Sequence, residues 1–246
     1  MKGVILAGGK GTRLYPLTAV TNKHLVSVGD LPMIEYPLFT LKKLGVTSIN
    51  VVTGGEHFED IARYLSKLHP DVNFSFHVQK EAGGIAEALS LVEQSVKGEK
   101  IAVILGDNVF GDDFYEVAKK FEESDSGAMV FLKQVKDPSE YGVVELNGDI
   151  ITNIEEKPDV PKSDLAVTGL YLYDSGVFDK IRKLTPSARG ELEVSDLNNL
   201  YVRDGKLSYH IINGFWGDAG GFESRKVCEE FVKKYLEGEI LRGICE

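Results

Sequence analysis

The sequence has little cysteine, no long apolar run and no excess of positive charge, and each shortage removes a class of protein. Only Cys228 and Cys245 occur in 246 residues. Two thiols make neither a disulfide framework nor a cysteine-based zinc site, and they fit a reducing, cytoplasmic setting. No apolar run approaches the roughly 18 residues needed to span a bilayer. The apolar stretch at the start is far too short for a signal-peptide core. Lys and Arg number 28 against 38 Asp and Glu, a net charge of −10. That balance argues against a nucleic-acid binder, which shows a basic face. It leaves a nucleotide site open, because a few local cations can hold one phosphate group. Linkers rich in Pro, Gly or Ser, repeats and low-complexity tracts are all missing. With 43% hydrophobic residues the chain is not disordered, and its length suits one large domain or two small ones.

What is there alternates. Val4–Leu6, Ile49–Thr53, Phe74–Val78 and Ile101–Leu105 read as strands. The first and last are nearly all apolar, as in a parallel sheet covered on both faces. Met33–Leu44, Phe58–Leu68 and Ile85–Val96 carry apolar residues at helical spacing, with Pro32 near the start of the first and Gly45 just past its end. From residue 127 to 173 short strands dominate: Ala128–Val135, Gly142–Glu145, Ile150–Ile154 and Val167–Tyr173. Asn147-Gly148 between two of them predicts a hairpin with positive φ at both positions. Phe222–Leu241 reads as one long terminal helix. The expectation is one continuous α/β domain over residues 1–246, with crossover connections and an inserted β-rich portion.

The first strand runs into Leu6-Ala7-Gly8-Gly9-Lys10-Gly11-Thr12-Arg13-Leu14. Glycines let the backbone approach a phosphate and turn its N–H groups inward as an anion nest. The order is not that of a P-loop. A dinucleotide fingerprint fails too, because Leu14 stands where its third glycine belongs, and Asp30 lies in a Gly29-Asp30 turn before a helix. Arg13 can grip a pyrophosphate bidentately. An ordinary surface turn is the plain alternative; the strand, the glycines, Thr12, Arg13 and downstream Lys23 together favour phosphate binding.

Gly106-Asp107-Asn108 follows a buried strand, at the strand end where open α/β sheets bind ligands. A carboxylate there suits Mg²⁺, which takes one or two carboxylates plus substrate phosphates. A helix cap is the alternative, although Asp112 or Asp113 could do that instead. Asp218, between an aromatic pair and three glycines, is either a turn residue or a second carboxylate for the same metal. Tyr141-Gly142 and Glu155-Glu156-Lys157-Pro158 lie on neighbouring strands. A Lys suits a phosphate monoester and a Glu accepts from hydroxyls, but either segment alone reads as a solvated strand edge. Gly169 inside a strand marks close approach by a ligand or a bulge. Arg189-Gly190-Glu191-Leu192-Glu193 reads as an ordinary helix start. The five histidines show no ligand or triad spacing.

Taken in order, these segments resemble the sugar-1-phosphate nucleotidyltransferases from Lys2 to about Gly220. The resemblance runs through Leu6–Leu14, Asn22-Lys23-His24-Leu25, Pro32-Met33-Ile34, Val78-Gln79 with Gly83-Gly84, Gly106-Asp107-Asn108, Tyr141–Glu145, Glu155–Pro158, Val167–Tyr171, Arg189–Glu193 and Asp218-Ala219-Gly220. The resemblance is to a short form, expected to lack the further C-terminal helices of longer relatives.

The resemblance implies a Rossmann-like, mixed, mostly parallel central sheet flanked by helices. Residues 1–125 would be mainly nucleotide-binding, 126–221 mainly sugar-binding, and 222–246 a terminal helix. It further implies that Leu6, Ala7, Gly8, Gly9, Gly11 and Thr12 hold a nucleoside triphosphate, and that Arg13 and Lys23 stabilise departing pyrophosphate. Gln79 and the Gly84 backbone would read a pyrimidine edge. Asp107 and Asp218 would bind Mg²⁺, and Tyr141, Gly142, Glu156, Val167 and Tyr171 would line a sugar site, with Lys157 on the sugar phosphate. The implied reaction is attack of glucose 1-phosphate on the α-phosphorus of dTTP, in a cytoplasmic homo-oligomer supplying activated glucose for deoxysugar and polysaccharide synthesis. UTP in place of dTTP, mixed use of both, and a catalytically silent nucleotide-sugar sensor are the competing readings.

Overall fold

The computed structural model describes residues 1–81 and 83–245; Ala82, Glu246 and the side chain of Cys245 lie outside the described residues. Of the two thiols, Cys228 is free and buried. The first half comprises β1 (Lys2–Ala7), β2 (Ser27–Val28), β3 (Leu31–Pro32), α1 (Glu35–Lys43), β4 (Ser48–Gly54), α2 (Phe58–Leu68) and β5 (Asn73–Gln79). Then come α3 (Ile85–Ser90), β6 (Ile101–Leu105), β7 (Asn108–Phe110) and α4 (Tyr115–Glu123). The second half comprises β8 (Ala128–Gln134), β9 (Gly142–Asn147), β10 (Ile150–Glu156), β11 (Leu165–Tyr173), α5 (Val177–Ile181) and α6 (Val194–Arg203). It ends with β12 (Leu207–Ile211), β13 (Trp216–Asp218), α7 (Phe222–Tyr235) and α8 (Glu237–Cys245).

The class is mixed α/β, with a central, mostly parallel sheet flanked by helices. β6-β1-β4-β5 are parallel neighbours in that order. The β-rich portion extends the same sheet. β11 pairs antiparallel with β6 through its second half and with β9 through Ala166, and carries β8 along its other side; β10 beyond β9 and β12 beyond β8 complete nine strands. Strand alternation builds two cores. Val4, Leu6, Val52, Ile101 and Val103 face one side under α3, α5 and α6, with Leu89, Phe178 and Leu197. Ile5, Ala7, Ile49, Val51, Ala102 and Ile104 face the other, against Leu38 and Leu41 of α1, Ile61 and Leu65 of α2, and Phe121 of α4. This two-residue period is what a strand buried on both faces requires. A third core sits under α7 and α8, where Val232, Leu236 and Ile240 cover Val28, Leu31 and Val109. Among the described residues no helix is long and apolar enough to cross a membrane.

Several predicted elements shift. The first helix starts at Glu35 rather than Met33, because the Met33 and Ile34 amides donate to the carbonyls of Val26 and His24. Pro32 therefore belongs to β3, and Pro37 occupies the first helical turn, where no amide is needed. The helix from Ile85 stops at Ser90, whose hydroxyl bonds the Glu87 carbonyl, and the chain continues through a 3₁₀ turn at Glu93–Ser95. The hairpin loop is Gly148-Asp149, since Asn147 pairs with Ile150; only Gly148 has positive φ. The single terminal helix is two helices, broken at Leu236 (φ −118°). There Leu236 enters the third core, while the Glu237 carboxylate accepts the Asp30 amide.

One buried polar contact offers a stability test. Tyr173 and Asn198 are both fully buried, and the Tyr173 hydroxyl donates to Asn198 Oδ1 at 2.7 Å. Tyr173→Phe leaves that oxygen unpaired, so urea unfolding is expected to show a loss of about 1–2 kcal/mol. A change under a few tenths would mean that the bond contributes nothing net.

Candidate active site

The strand ends at one edge of the sheet open into a cleft of about 480 Å³. Leu6 near the end of β1 with Gly8 and Gly9 beyond it, Gln79 at the end of β5, Gly84 before α3, and Leu105, Asp107 and Asn108 at the end of β6 and past it form one half of its wall. Tyr141, Gly142, Glu156, Lys157, Val167, Gly169 and Tyr171 of the β9–β11 region form the other. Arg13, Lys23 and Asp218 close the middle. Of the sequence-derived candidates, Ala7, Gly11 and Thr12 do not line this cleft. Ala7 is fully buried in the second core. Gly11 (φ +66°) makes the turn, its carbonyl accepting from the Thr18 hydroxyl. Thr12 starts the exposed 3₁₀ turn that carries Arg13.

Two acidic side chains meet here. β7 and β13 pair antiparallel with Asn108 opposite Asp218, so Asp107 and Asp218 become neighbours. A Cβ on Gly220 would lie 2.8 Å from Asp218 Oδ1, 3.0 Å from Asp107 Oδ2 and 2.9 Å from Arg13 Nη2, so all three side chains converge on that glycine. Lys23 Nζ donates to Asp107 Oδ2 at 2.5 Å, and Asn108 Nδ2 to Asp107 Oδ1 at 3.0 Å. Burial, the largest single influence, would raise the Asp107 carboxyl, but the Lys23 and His24 charges and the hydrogen bonds from Lys23 and Asn108 together outweigh it and hold the group well below the usual carboxylate range. Asp218 moves the other way: burial first, then the charge of Asp107, pushes it up, despite the Gly220 amide and Arg13. Arg13 Nη2 reaches Asp218 Oδ2 at 3.3 Å. The helix-cap alternative for Asp107 belongs instead to Asp113, whose Oδ1 accepts the Tyr115 amide at 2.9 Å.

At the other end, Gly142 pairs with Glu156 across β9 and β10, and the Lys157 amide donates to the Tyr141 carbonyl. Lys157 adopts φ +46°, a strained conformation for a residue with a side chain. Gly169 fits the bulge reading, and the group that approaches it closely is a protein side chain. It lies where the β11–β8 register shifts, and a Cβ there would meet Asn108 Oδ1 at 2.6 Å.

Sequence reasoning missed the residues behind this wall. Asn108 is almost fully buried, and its Oδ1 accepts from Gly169 N (3.0 Å) and Trp216 Nε1 (2.7 Å). One amide thus ties the acidic centre to the β11 bulge and to Trp216, whose ring meets that of Tyr141 at 5.1 Å. Ser195 donates to Glu156 Oε2, and Arg189 grips Glu193 with two bonds of 3.1 and 2.7 Å, within 3.7 Å of Glu156. His24 is buried against Gly106, with burial and then Lys23 driving its imidazole down to about 3. Its neutral ring gives Nδ1–H to Asn22 Oδ1 at 2.7 Å. The hints were that His24, Asn108 and Arg189–Glu193 fall within segments of the resemblance; Ser195 and Trp216 carry no local pattern.

Residues 2–234 match the Nucleotidyl transferase family. The glucose-1-phosphate thymidylyltransferase of Neisseria meningitidis is 44% identical over 250 residues, covering 100% of this chain and 87% of that protein. That of Mycobacterium tuberculosis is 39% identical, covering 95% and 82%. A Bacillus anthracis protein proposed to be a glucose-1-phosphate thymidylyltransferase, solved with a sucrose, superposes with a TM-score of 0.90 at 48% identity, covering 95% of both chains. A UDP-glucose pyrophosphorylase holding UDP-glucose shares the fold, with a TM-score of 0.84 at 23% identity over 95% of this chain and 98% of that one.

Proposed function

We propose, from the premise that the chain belongs to the nucleotidyl transferase family, that it is a glucose-1-phosphate thymidylyltransferase, converting dTTP and glucose 1-phosphate to dTDP-glucose and pyrophosphate. The observation that carries this reading is a single cleft with a glycine loop at one end, two converging carboxylates with Arg13 and Lys23 in the middle, and Glu156 and Lys157 at the other. The identity of 39–44% to enzymes of that name, over nearly the whole chain, supports it.

In the proposed reaction a phosphate oxygen of the sugar bonds to the α-phosphorus of dTTP. The bond from that phosphorus to the bridging oxygen breaks, and pyrophosphate carries off the electron pair. The nucleophile is already ionised, so no general base is needed. Catalysis is positioning and charge neutralisation. In our assignment the loop from Leu6 to Thr12 receives the triphosphate through Leu6, Gly8 and Gly9, with Ala7, Gly11 and Thr12 shaping it from outside the cleft, and Gln79 with Gly84 meets the base. Arg13 and Lys23 balance the charge gathering on the leaving pyrophosphate. Tyr141, Gly142, Glu156, Val167 and Tyr171 surround the sugar, and Lys157 faces its phosphate. The oxygen donor set of Asp107 and Asp218 fits Mg²⁺, as two carboxylates crowded together call for a hard cation. When bound, that ion would neutralise phosphate charge. The Lys23 contact keeps Asp107 ionised in readiness. Two finer assignments go with this reading. The exposed Val227, Tyr235 and Leu241 of α7 and α8 offer apolar surface for a homo-oligomer. The low cysteine count suits the cytoplasm.

The test is pyrophosphate release from glucose 1-phosphate with Mg²⁺ and each of dTTP, UTP, CTP and ATP. Release is expected to be fastest with dTTP and to vanish without metal. Faster release with UTP would keep the mechanism and change the nucleotide. A folded protein that binds nucleotide sugar yet releases nothing from any nucleotide would make it a sensor.

A further inference from the structure

Gln79 ends β5 with its side chain almost wholly buried, and the orientation of its amide is dictated by its neighbours. Nε2 lies 2.5 Å from Glu87 Oε2 and 3.4 Å from the Gly84 carbonyl. A carboxylate and a carbonyl are both acceptors without a proton to give. Two acceptors converging on one end of an amide admit only its NH₂. The carbonyl end is therefore turned the other way, over Gly8, where a Cβ would lie 2.3 Å from Gln79 Oε1. Gly8 and Gln79 both line the cleft, so this side chain presents the cleft with an acceptor.

Glu87 itself is no part of the cleft wall. It stands in the first turn of α3, its stem packed over Gly83, where a Cβ would meet Glu87 Cγ at 3.0 Å. The helix thus holds the carboxylate behind Gln79, on the side away from any ligand.

We infer that Glu87 is a positioning residue that determines base specificity: by holding the Gln79 NH₂, it makes the cleft accept a pyrimidine carrying N3–H and refuse one whose N3 is a bare lone pair. Thymine and uracil donate from N3; cytosine cannot, and its N3 would face Gln79 Oε1 acceptor to acceptor. This inference rests on the reading of Gln79 as the residue that meets the base. A glutamine at position 87 would leave only the long contact to the Gly84 carbonyl to orient Gln79, because an amide there can donate as well as accept and lets Gln79 turn over.

The test compares dTTP with dCTP in the wild type, Glu87→Gln and Gln79→Ala, first by binding of each nucleotide alone, then by pyrophosphate release. The wild type is expected to favour dTTP by at least about 10³-fold, as a site built around one hydrogen bond rejects the analogue lacking it. Glu87→Gln is expected to shrink that ratio by about tenfold or more, through a higher KM for dTTP and a lower one for dCTP, with kcat for dTTP nearly unchanged. A merely structural role would lower both nucleotides alike, and that result would overturn the inference. An unchanged ratio in Glu87→Gln would do the same. An unchanged ratio in Gln79→Ala would remove the base-reading role on which it stands. If binding discriminates between the bases and Glu87→Gln relaxes it while no pyrophosphate is released, the inference holds and the catalytic reading fails.

Discussion

Replacing Asp107 by Ala is expected to lower kcat/KM for pyrophosphate release by about a thousandfold or more, roughly 4 kcal/mol of transition-state stabilisation. In the proposed reaction this carboxylate is one of two that hold the metal. It is also the partner of Lys23, which faces the leaving group. Its loss disturbs both at once. A second effect has to be separated from the first. The Lys23–Asp107 pair is buried, with side chains only 12% and 10% exposed. Removing one charge strands the other, which costs about 3–5 kcal/mol of stability. Asp107→Asn is therefore the sharper variant, since its one oxygen, turned to the place of Oδ2, can still accept from Lys23 while the negative charge is gone. The measurements are steady-state kinetics for both variants beside thermal melting. Near-wild-type turnover by a folded Asp107→Asn protein would sink the metal assignment.

Gly84→Ala is expected to cost about 3 kcal/mol or more in urea unfolding and to raise the KM for the nucleotide. Gly84 sits at φ +96°, and an added Cβ would lie 2.6 Å from the Leu192 carbonyl oxygen and 2.9 Å from its nitrogen. Both are backbone atoms, so no rotamer change relieves the clash. Leu192 is itself pinned: its amide donates to the Gly83 carbonyl at 2.8 Å and its carbonyl accepts from Ala86. Any shift must move this bonded pair of loops, and with it the Gly84 carbonyl that Gln79 touches. Gly190→Ala supplies the control. Its φ is +76°, but nothing lies within 4 Å of its Cβ position, so it bears only the backbone penalty of about 1–2 kcal/mol. Equal losses in the two variants would show that the Leu192 contact does not matter.

The contrast between those glycines marks what a sequence can carry. The nearly all-apolar runs of β1 and β6, the amphipathic period of α2 and the helix stop at Gly45 depend on neighbours a few residues away, and they were legible. The glycine loop and the acids at strand ends were legible as chemistry, because a strand end is where ligands meet a parallel sheet. What joins them was not. Asn108 reaches Gly169 and Trp216, Ser195 reaches Glu156, and Glu87 reaches Gln79 by hydrogen bonds between segments with no shared pattern. The break at Leu236 was hidden for the same reason. Its cause is a core formed with β2 and β3, far back in the chain, and helical periodicity runs through it undisturbed.

The β7–β13 ladder also bears on when the site comes into being. Asp107 is followed by 110 further residues before Asp218. At ribosomal rates of about 5–20 residues per second, that interval is roughly 6–22 s. During it the emerging chain already holds the glycine loop, Arg13, Lys23 and Asp107, yet lacks the carboxylate and the strand that face them. On the proposed reading, the metal centre would therefore form only once Asp218 has emerged, when the last part of the chain brings its carboxylate to the glycine loop.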